Sequence, residues 1–116
     1  MEITYTGRGV SLNEEYSANY RDLYVLKTRA KASISKEVRK HWDGETVYDP
    51  FKVHVRYNGN FDIDNTVATT KIFVDVLRDR GAVIQDHPKH YKAMSVIFDP
   101  TIPVGTFIFK IERYDN

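Results

Sequence analysis

The stretch "FKVHVRYN", residues 51–58, decides the fold because its side chains alternate strictly between apolar and polar. The apolar set falls on one side of an extended chain and the polar set on the other: Phe51, Val53, Val55 and Tyr57 against Lys52, His54 and Arg56. A period of two is typical of a half-buried strand. We therefore predict a strand here with one buried face.

The sequence before this strand predicts a short strand followed by a long helix. "EITYT", residues 2–6, alternates and indicates the first strand. From Tyr20 to Trp42, apolar residues recur every three or four positions and form one helical stripe. The members of this stripe are Leu23, Leu26, Ala30, Ile34 and Val38. Gly44 and Pro50 end the helical pattern.

The sequence after this strand predicts a second helix and three further strands. Val67, Ile72, Val74 and Leu77 indicate the helix, with Gly81 as its C-terminal cap. The predicted strands are "AVI" (82–84), "MSVIF" (94–98) and "TFIFKIERY" (106–114), the last two joined by a hairpin loop, "DPTIPVG". The fold class is therefore predicted as α+β, with one mixed sheet packed against a long helix and a second helix.

Length and composition restrict the possible functions. A chain of 116 residues fits one domain, 1–116, and its net charge of +1 gives no overall preference for an anionic partner. The absence of cysteine excludes disulfides and thiolate metal sites. The start, "MEITYTGRGV", lacks the features of a signal peptide, and no apolar run reaches the length of a membrane span. We expect a small soluble intracellular protein without a membrane partner.

Two aspartates in "FDIDNTVATTK", residues 61–71, are the first candidate site. If the chain stays extended, Asp62 and Asp64 point to one face, about 7 Å apart, and Ile63 points into the core. Two carboxylates on one face suit Mg²⁺ or Mn²⁺. The alternative is a polar turn in which Asp64 or Asn65 is the N-cap of the second helix. A calcium loop is excluded because Val67 stands where that loop needs glycine.

Further polar and charged residues follow this acidic pair along the chain. Lys71 is followed by Asp75, Leu77 and Gly81, and Asp86 comes five residues after the glycine. The whole arrangement, "DIDN … K-x-x-x-D-x-L-x-x-x-G-x-x-x-x-D", resembles the RusA family of Holliday junction resolvases, which are common in phages and prophages. "SLNEEY", residues 11–16, is weakly similar to the N-terminal segment of that family. The specific part of the resemblance is residues 62–86.

The resemblance implies a single RusA-like domain and a magnesium-dependent endonuclease that cuts branched DNA as a homodimer in the cytoplasm of a bacterial host. It implies that Asp62, Asp64 and Asp86 are the metal-binding carboxylates, with Mg²⁺ or Mn²⁺, and that Lys71 is the catalytic lysine. Two positions depart from the family. Lys71 lies about three residues farther from the acidic pair, and Gln85 stands where many members have another acid.

The residue types suit phosphodiester cleavage on chemical grounds alone. Mg²⁺ held by aspartates activates a water molecule and neutralises charge on the phosphate, and a lysine adds charge or protonates the leaving oxygen. The structural alternatives are an ion pair of Lys71 with Asp75 one turn later, and a turn position for Asp86 before Pro88. His87 and His90 could form a zinc site, but Pro88 argues against a helix presenting both, so exposed loop histidines are the default.

A basic segment predicts where DNA would bind. Seven basic residues lie between Arg21 and Lys40, against only Asp22 and Glu37. A positive helix surface of this kind suits phosphates, although such charge is usually a solvated face. The residues predicted to bind DNA are Arg29, Lys36, Lys40, Lys52 and Arg56. Tyr16, Tyr20 and Tyr24 could stack on unpaired bases, or belong to the core or an interface.

Three functions compete on this sequence. The leading one is resolution of four-way or branched DNA by metal-dependent hydrolysis. The alternative is a RusA-like phage protein that binds DNA in a regulatory role with weak or no catalysis, as the displaced Lys71 and Gln85 indicate. A protein-interaction module is disfavoured by the paired acids and the basic helix.

Overall fold

The computed structural model describes residues 1–7, 20–60 and 62–115, and for Tyr20 the backbone alone. Its elements are β1 (Glu2–Thr6), α1 (Tyr20–His41), β2 (Phe51–Asn58), a 3-10 helix (Ile63–Thr66), α2 (Val67–Arg80), β3 (Tyr91–Phe98) and β4 (Thr106–Arg113). They form one mixed sheet and two helices, which confirms the predicted α+β class. The segment 11–16 and Tyr16 lie outside the described residues.

The four strands lie in the order β1-β4-β2-β3. β4 is antiparallel to both of its neighbours, whereas β2 and β3 are parallel. A parallel pair needs a crossover connection, and α2 provides it. The predicted hairpin between "MSVIF" and "TFIFKIERY" is therefore wrong, because β2 lies between these two strands.

The core lies between the helices and one face of the sheet. The predicted inward set of β2 is buried, with Phe51 and Val55 fully so. Ala30, Ile34 and Val38 of the predicted α1 stripe are buried against it. The opposite face of the sheet carries the polar set of β2 and has no helix over it among the described elements. The strand and the long helix are thus confirmed with the faces predicted for them.

The C-terminal end of α2 confirms one prediction and corrects another. Gly81 follows the helix in the left-handed conformation (φ 88°), and the Ala82 N–H donates to the Leu77 carbonyl at 2.9 Å. The chain then turns, so residues 82–84 are not the predicted strand. Ala82 and Val83 are buried although they belong to no strand, whereas Ile84 is exposed. Ala82 and Val83 are therefore apolar because they are buried beneath this turn, and not because they pair in a sheet.

The 3-10 helix corrects the position of one side chain. Ile63 was expected in the core, but it is about half exposed. The extended chain ends at Asp62 (φ −69°, ψ 158°), and the 3-10 helix begins at the next residue. The alternation of inward and outward side chains ends with the strand conformation, so it does not carry Ile63 inward.

The two helices cover the sheet unequally. Ile3 and Tyr5 of β1 are 1% and 5% exposed, whereas Met94 and Phe98 of β3 are 37% and 47% exposed. Met94 and Phe98 pair with buried residues of β2, so they lie on the helix-covered face. The helix layer therefore leaves β3 largely uncovered. Within the described ranges, no helix is long and apolar enough to cross a membrane.

Candidate functional site

Asp62 and Asp64 lie where the chain leaves β2 and enters the 3-10 helix. Both side chains are exposed and line one open depression, together with Tyr57, Asn60 and Phe98. Neither carboxylate caps a helix. Asp62 precedes the 3-10 helix without a side-chain capping bond, and the N-cap of α2 is Thr66. The alternative in which Asp64 or Asn65 caps the second helix is therefore wrong.

The charges of these two carboxylates act on a common neighbour. Burial raises the pKa of the Tyr57 hydroxyl, and the nearby Asp62 and Asp64 carboxylates raise it further. Both acids thus lie within electrostatic reach of one hydroxyl group. Across residues 1–7, 20–60 and 62–115, neither carboxylate has an ion-pair partner. Their mutual repulsion is not offset by a described cationic side chain, and a bound cation would offset it.

Lys71 and Asp86 meet in a second depression, which is lined by residues of α2 and β3. The Lys71 Nζ lies 3.9 Å from the Asp86 Oδ2, and the Arg78 Nη1 lies 3.3 Å from the same oxygen. Asp75 pairs with Arg78 at 3.6 Å, so the predicted alternative of a Lys71–Asp75 pair is not formed. The depression has a volume of about 210 Å³, and its lining also includes Val67, Thr70, Val74, Tyr91 and Met94.

The structure does not bring the three predicted metal ligands together. Asp86 lies alongside the middle of α2, between Lys71 and Arg78, whereas Asp62 and Asp64 precede the helix. In the described part of the chain, no three acidic or histidine side chains form a group that could hold a metal ion. The role of Asp86 as a metal ligand remains a prediction.

The extended geometry expected for Asp62 and Asp64 is not formed, because Asp64 lies in the 3-10 helix. Both carboxylates nevertheless line one depression, and Mg²⁺ commonly binds to one or two carboxylates while it keeps several of its waters.

The two depressions are neighbours along one strand. Met94 lines the depression of Lys71 and Asp86, and Phe98 lines that of Asp62 and Asp64. These two residues are four positions apart on the same face of β3, which corresponds to about 13 Å. A polymeric substrate could therefore contact both depressions at once.

The residues predicted to bind DNA lie on two opposite surfaces. Arg29, Lys36 and Lys40 are exposed on α1, with Lys40 3.7 Å from Glu37. Lys52 and Arg56 lie on the face of the sheet without helices. There Lys52 is 4.0 Å from Glu112, and Arg56 is 3.1 Å from Asp99 and 3.9 Å from Glu2. Lys52 and Arg56 are therefore paired with acids. They also lie on a different surface from the basic residues of α1.

Sequence reasoning missed a groove between the two helices. Lys27, Lys31 and Lys71 line it together with the exposed Tyr24, and its volume is about 250 Å³. Lys31 also pairs with Asp79 at 2.9 Å. Three lysines and one acid, Asp75, line the groove, and Lys71 lines the depression of Asp86 as well, so the groove adjoins the candidate site. The four-residue spacing of Lys27 and Lys31 beside the apolar stripe was the signal in the sequence.

The two histidines after Asp86 differ in their environments. His90 is mostly buried, and its Nδ1 is hydrogen-bonded to the Asp49 Oδ1 at 2.6 Å. His87 is exposed, with its ring centroid 4.8 Å from that of His90. The default interpretation as exposed loop histidines is therefore correct for His87 and wrong for His90. Within the described ranges, no third histidine or acid completes a zinc site with them.

Comparison with known proteins adds no assignment: no family model matches the chain, and no curated protein matches it. The similarity to the RusA family thus rests on the residues of the segment 62–86.

Proposed function

We propose that this protein is a metal-dependent endodeoxyribonuclease that cuts four-way or branched DNA as a homodimer in the cytoplasm of a bacterial host cell. The observation that carries the proposal is the Asp62–Asp64 pair. It is exposed, caps no helix, and has no ion-pair partner among the described residues. The depression that holds this pair and the depression that holds Lys71 and Asp86 are both lined by a residue of β3.

Each of these residues has a defined role in this proposal. Asp62 and Asp64 hold Mg²⁺ or Mn²⁺, which supplies an activated water molecule and charge neutralisation at the phosphate. Lys71 presents an exposed ammonium group beside the site, where it stabilises negative charge on the phosphate or protonates the leaving oxygen. Asp86 fixes the position of the Lys71 side chain through their ion pair.

A second candidate function is DNA binding with weak or no catalysis. The observation that favours it is the environment of Asp86, whose carboxylate is engaged by both Lys71 and Arg78 and lies away from the acidic pair. A site that lacks a third carboxylate ligand binds divalent ions less tightly. The positive groove between the helices would still contact phosphates.

Incubation with a synthetic four-way junction separates the two candidates. The full chain is incubated with the junction and with a duplex of the same sequence, each with and without Mg²⁺, and products are resolved on denaturing gels. Cleavage that requires both the junction and the metal supports the nuclease. Junction binding in a gel-shift assay without cleavage supports the second candidate, and the absence of both contradicts each of them.

A further inference from the structure

We infer that β3 is the surface through which two copies of this chain pair, edge to edge and antiparallel, into one continuous sheet. The inference deepens the proposed function, and it rests on that function insofar as the function already requires two copies. The identity of the surface is new, and the evidence for it comes from β3 alone.

The first observation is that β3 has a free hydrogen-bonding edge. It pairs with β2 on one side, and no described strand lies on its other side. Proteins normally protect such edges with proline, charged side chains, bulges or short strands, because an open edge templates pairing with another chain. The eight residues of β3 include no proline, and from Ala93 to Phe98 they include no charge. The opposite edge strand, β1, has only five residues.

The second observation is the exposed apolar surface around this edge. Met94 and Phe98 are exposed on the helix-covered face, and Ile97 is 45% exposed on the other face. Ile63 and Val67, from the 3-10 helix and the start of α2, are also exposed, and each lines one of the two depressions that border β3. Clustered exposed apolar residues of this kind mark interaction sites.

The sequence of β3 favours a second copy in antiparallel orientation as the occupant. In antiparallel self-pairing, the uncharged residues 93–98 face each other, and Lys92 lies near the far end of the opposite strand, away from the other Lys92. A parallel arrangement in register would place the two Lys92 side chains next to each other, which destabilises a pair. Antiparallel pairing about a two-fold axis also uses the edge of both copies, so that assembly stops at the dimer.

The size of the interface requires contacts beyond the strand. A stable interface buries about 800 Å² on each partner, which is more than one edge strand provides. The exposed Ile63, Val67 and Phe98 supply further apolar surface on the helix-covered face. In this arrangement the acidic pair and Lys71 of each copy lie on the same face of the joined sheet, on either side of the axis. Two sites related in this way are what symmetric incision of a four-way junction requires.

The oligomeric state of the full chain tests the inference without any measurement of cleavage. Light scattering after size exclusion, over a concentration series, should give a mass of two chains for the wild type. Ile97→Lys and Met94→Lys each place charge at the pairing edge and should give one chain. The matched control is Val104→Lys, which replaces another apolar side chain, 71% exposed and outside β3, and should remain dimeric. A wild type that is monomeric throughout, or dimers in both β3 variants, would overturn the inference.

Disulfide crosslinking gives a second test that does not depend on the lysine variants folding. The chain has no cysteine, so each substitution introduces one thiol. A residue on the two-fold axis of an antiparallel pair meets its own copy, at a distance that a disulfide can span. At least one of Ser95→Cys, Val96→Cys and Ile97→Cys should form a crosslinked dimer on mild oxidation, and Thr4→Cys on β1 should not. Crosslinking at Thr4→Cys without any at β3 would assign the interface to the other edge.

Discussion

Replacing Asp64 with asparagine neutralises one carboxylate of the acidic pair. Asp64→Asn keeps the size of the side chain and removes a proposed metal ligand, so we expect junction cleavage with Mg²⁺ to fall below detection. Without metal, the carboxylate repels phosphate, so binding of the junction should stay unchanged or become tighter. Cleavage gels and metal-free binding measurements on the same preparation check both parts.

Asp115→Asn is the matched control, since it changes the same functional group at an exposed position near the end of the described chain. It should leave cleavage unchanged. If Asp64→Asn lost binding and cleavage together, the residue would have a structural role instead of a metal-binding one.

Tyr91 has a buried hydroxyl without a hydrogen-bond partner in the part of the chain that is described. Tyr91→Phe removes this unsatisfied polar group, so we expect the free energy of unfolding to rise by about 1 kcal/mol at neutral pH. Urea unfolding measures the change. Tyr48→Phe is the control, because the Tyr48 hydroxyl accepts a hydrogen bond from the Met1 amino group at 3.3 Å, and its removal should not stabilise the protein.

The same substitution has a pH dependence with a defined sign. Burial raises the pKa of Tyr91 from 10.0 to about 12. The unfolded chain therefore releases this proton first. The stability associated with neutral Tyr91 is fully present below pH 10 and is lost as the pH rises toward 12. The difference in the free energy of unfolding between Tyr91→Phe and the wild type should therefore grow between pH 10 and pH 12. A constant difference would contradict a raised pKa for Tyr91 in the folded chain.

Single residues show where sequence reasoning succeeded and where it failed. The exposure of Asp62 and Asp64 could be predicted from their charge, because charged side chains are seldom buried without partners. The position of Ile63 could not be predicted by extending the alternation of β2, since a helical turn begins at that residue. The contacts of Asp86 with Lys71 and Arg78 depend on how the chain returns after Gly81, and no local pattern encodes that path.

At the scale of elements, the end of α2 determines where Asp86 lies. Gly81 has φ 88°, a conformation that a side chain disfavours although there is open space around it. Gly81→Ala should therefore lower the free energy of unfolding by about 1 kcal/mol, measured by urea unfolding. Gly81→Asn should lose less, because asparagine tolerates this conformation better. Equal stability of the glycine and alanine proteins would mean that the helix ends in another way.

The exposed basic row of α1 has a testable electrostatic role. Replacing Arg29, Lys36 and Lys40 together with alanine should weaken junction binding. It should also reduce the slope of log affinity against log salt by about 2.7, since each phosphate contact contributes about 0.9. Lys52→Ala with Arg56→Ala is the control, because both residues pair with acids on the opposite surface. If only the control pair changed the slope, DNA would lie on the face of the sheet without helices.

The elements also show which kinds of information the sequence contains. The stripe of α1 and the alternation of β2 repeat several times within one segment, so each predicts its own buried face. The pairing of β3 with β2 instead of β4 depends on the path of α2 across the sheet. A short connection such as residues 99–105 favours a hairpin locally, but this preference did not decide which strands are neighbours.

At the scale of the whole molecule, the response of thermal stability to divalent ions tests how many carboxylates form the site. Mg²⁺ or Mn²⁺ that binds only the folded chain should raise the melting temperature with concentration. The double variant Asp62→Asn, Asp64→Asn should lose this rise. Asp86→Asn should keep most of it, because Asp86 lies in the other depression, where it pairs with Lys71 and Arg78. Differential scanning fluorimetry with Ca²⁺ as a comparison ion provides the measurement.

Equal loss of the metal response in the double variant and in Asp86→Asn would mean that all three carboxylates bind the metal. Asp86 would then leave Lys71 and Arg78 to complete the metal site, as the resemblance to the RusA family implies. A rise that persists in the double variant would instead place the metal elsewhere and contradict the proposed role of the acidic pair.

The position of β4 in the sheet affects how the chain folds during its synthesis. β4 is the last strand in the sequence, yet it lies between β1 and β2 and is the partner of both. Before β4 emerges from the ribosome, β2 can pair with β3 once both are outside, but β1 lacks the one strand that is its neighbour in the described sheet. Ile3 and Tyr5 therefore cannot form their strand pairs until β4, about a hundred residues later in the chain, has left the exit tunnel. The sheet is completed only then.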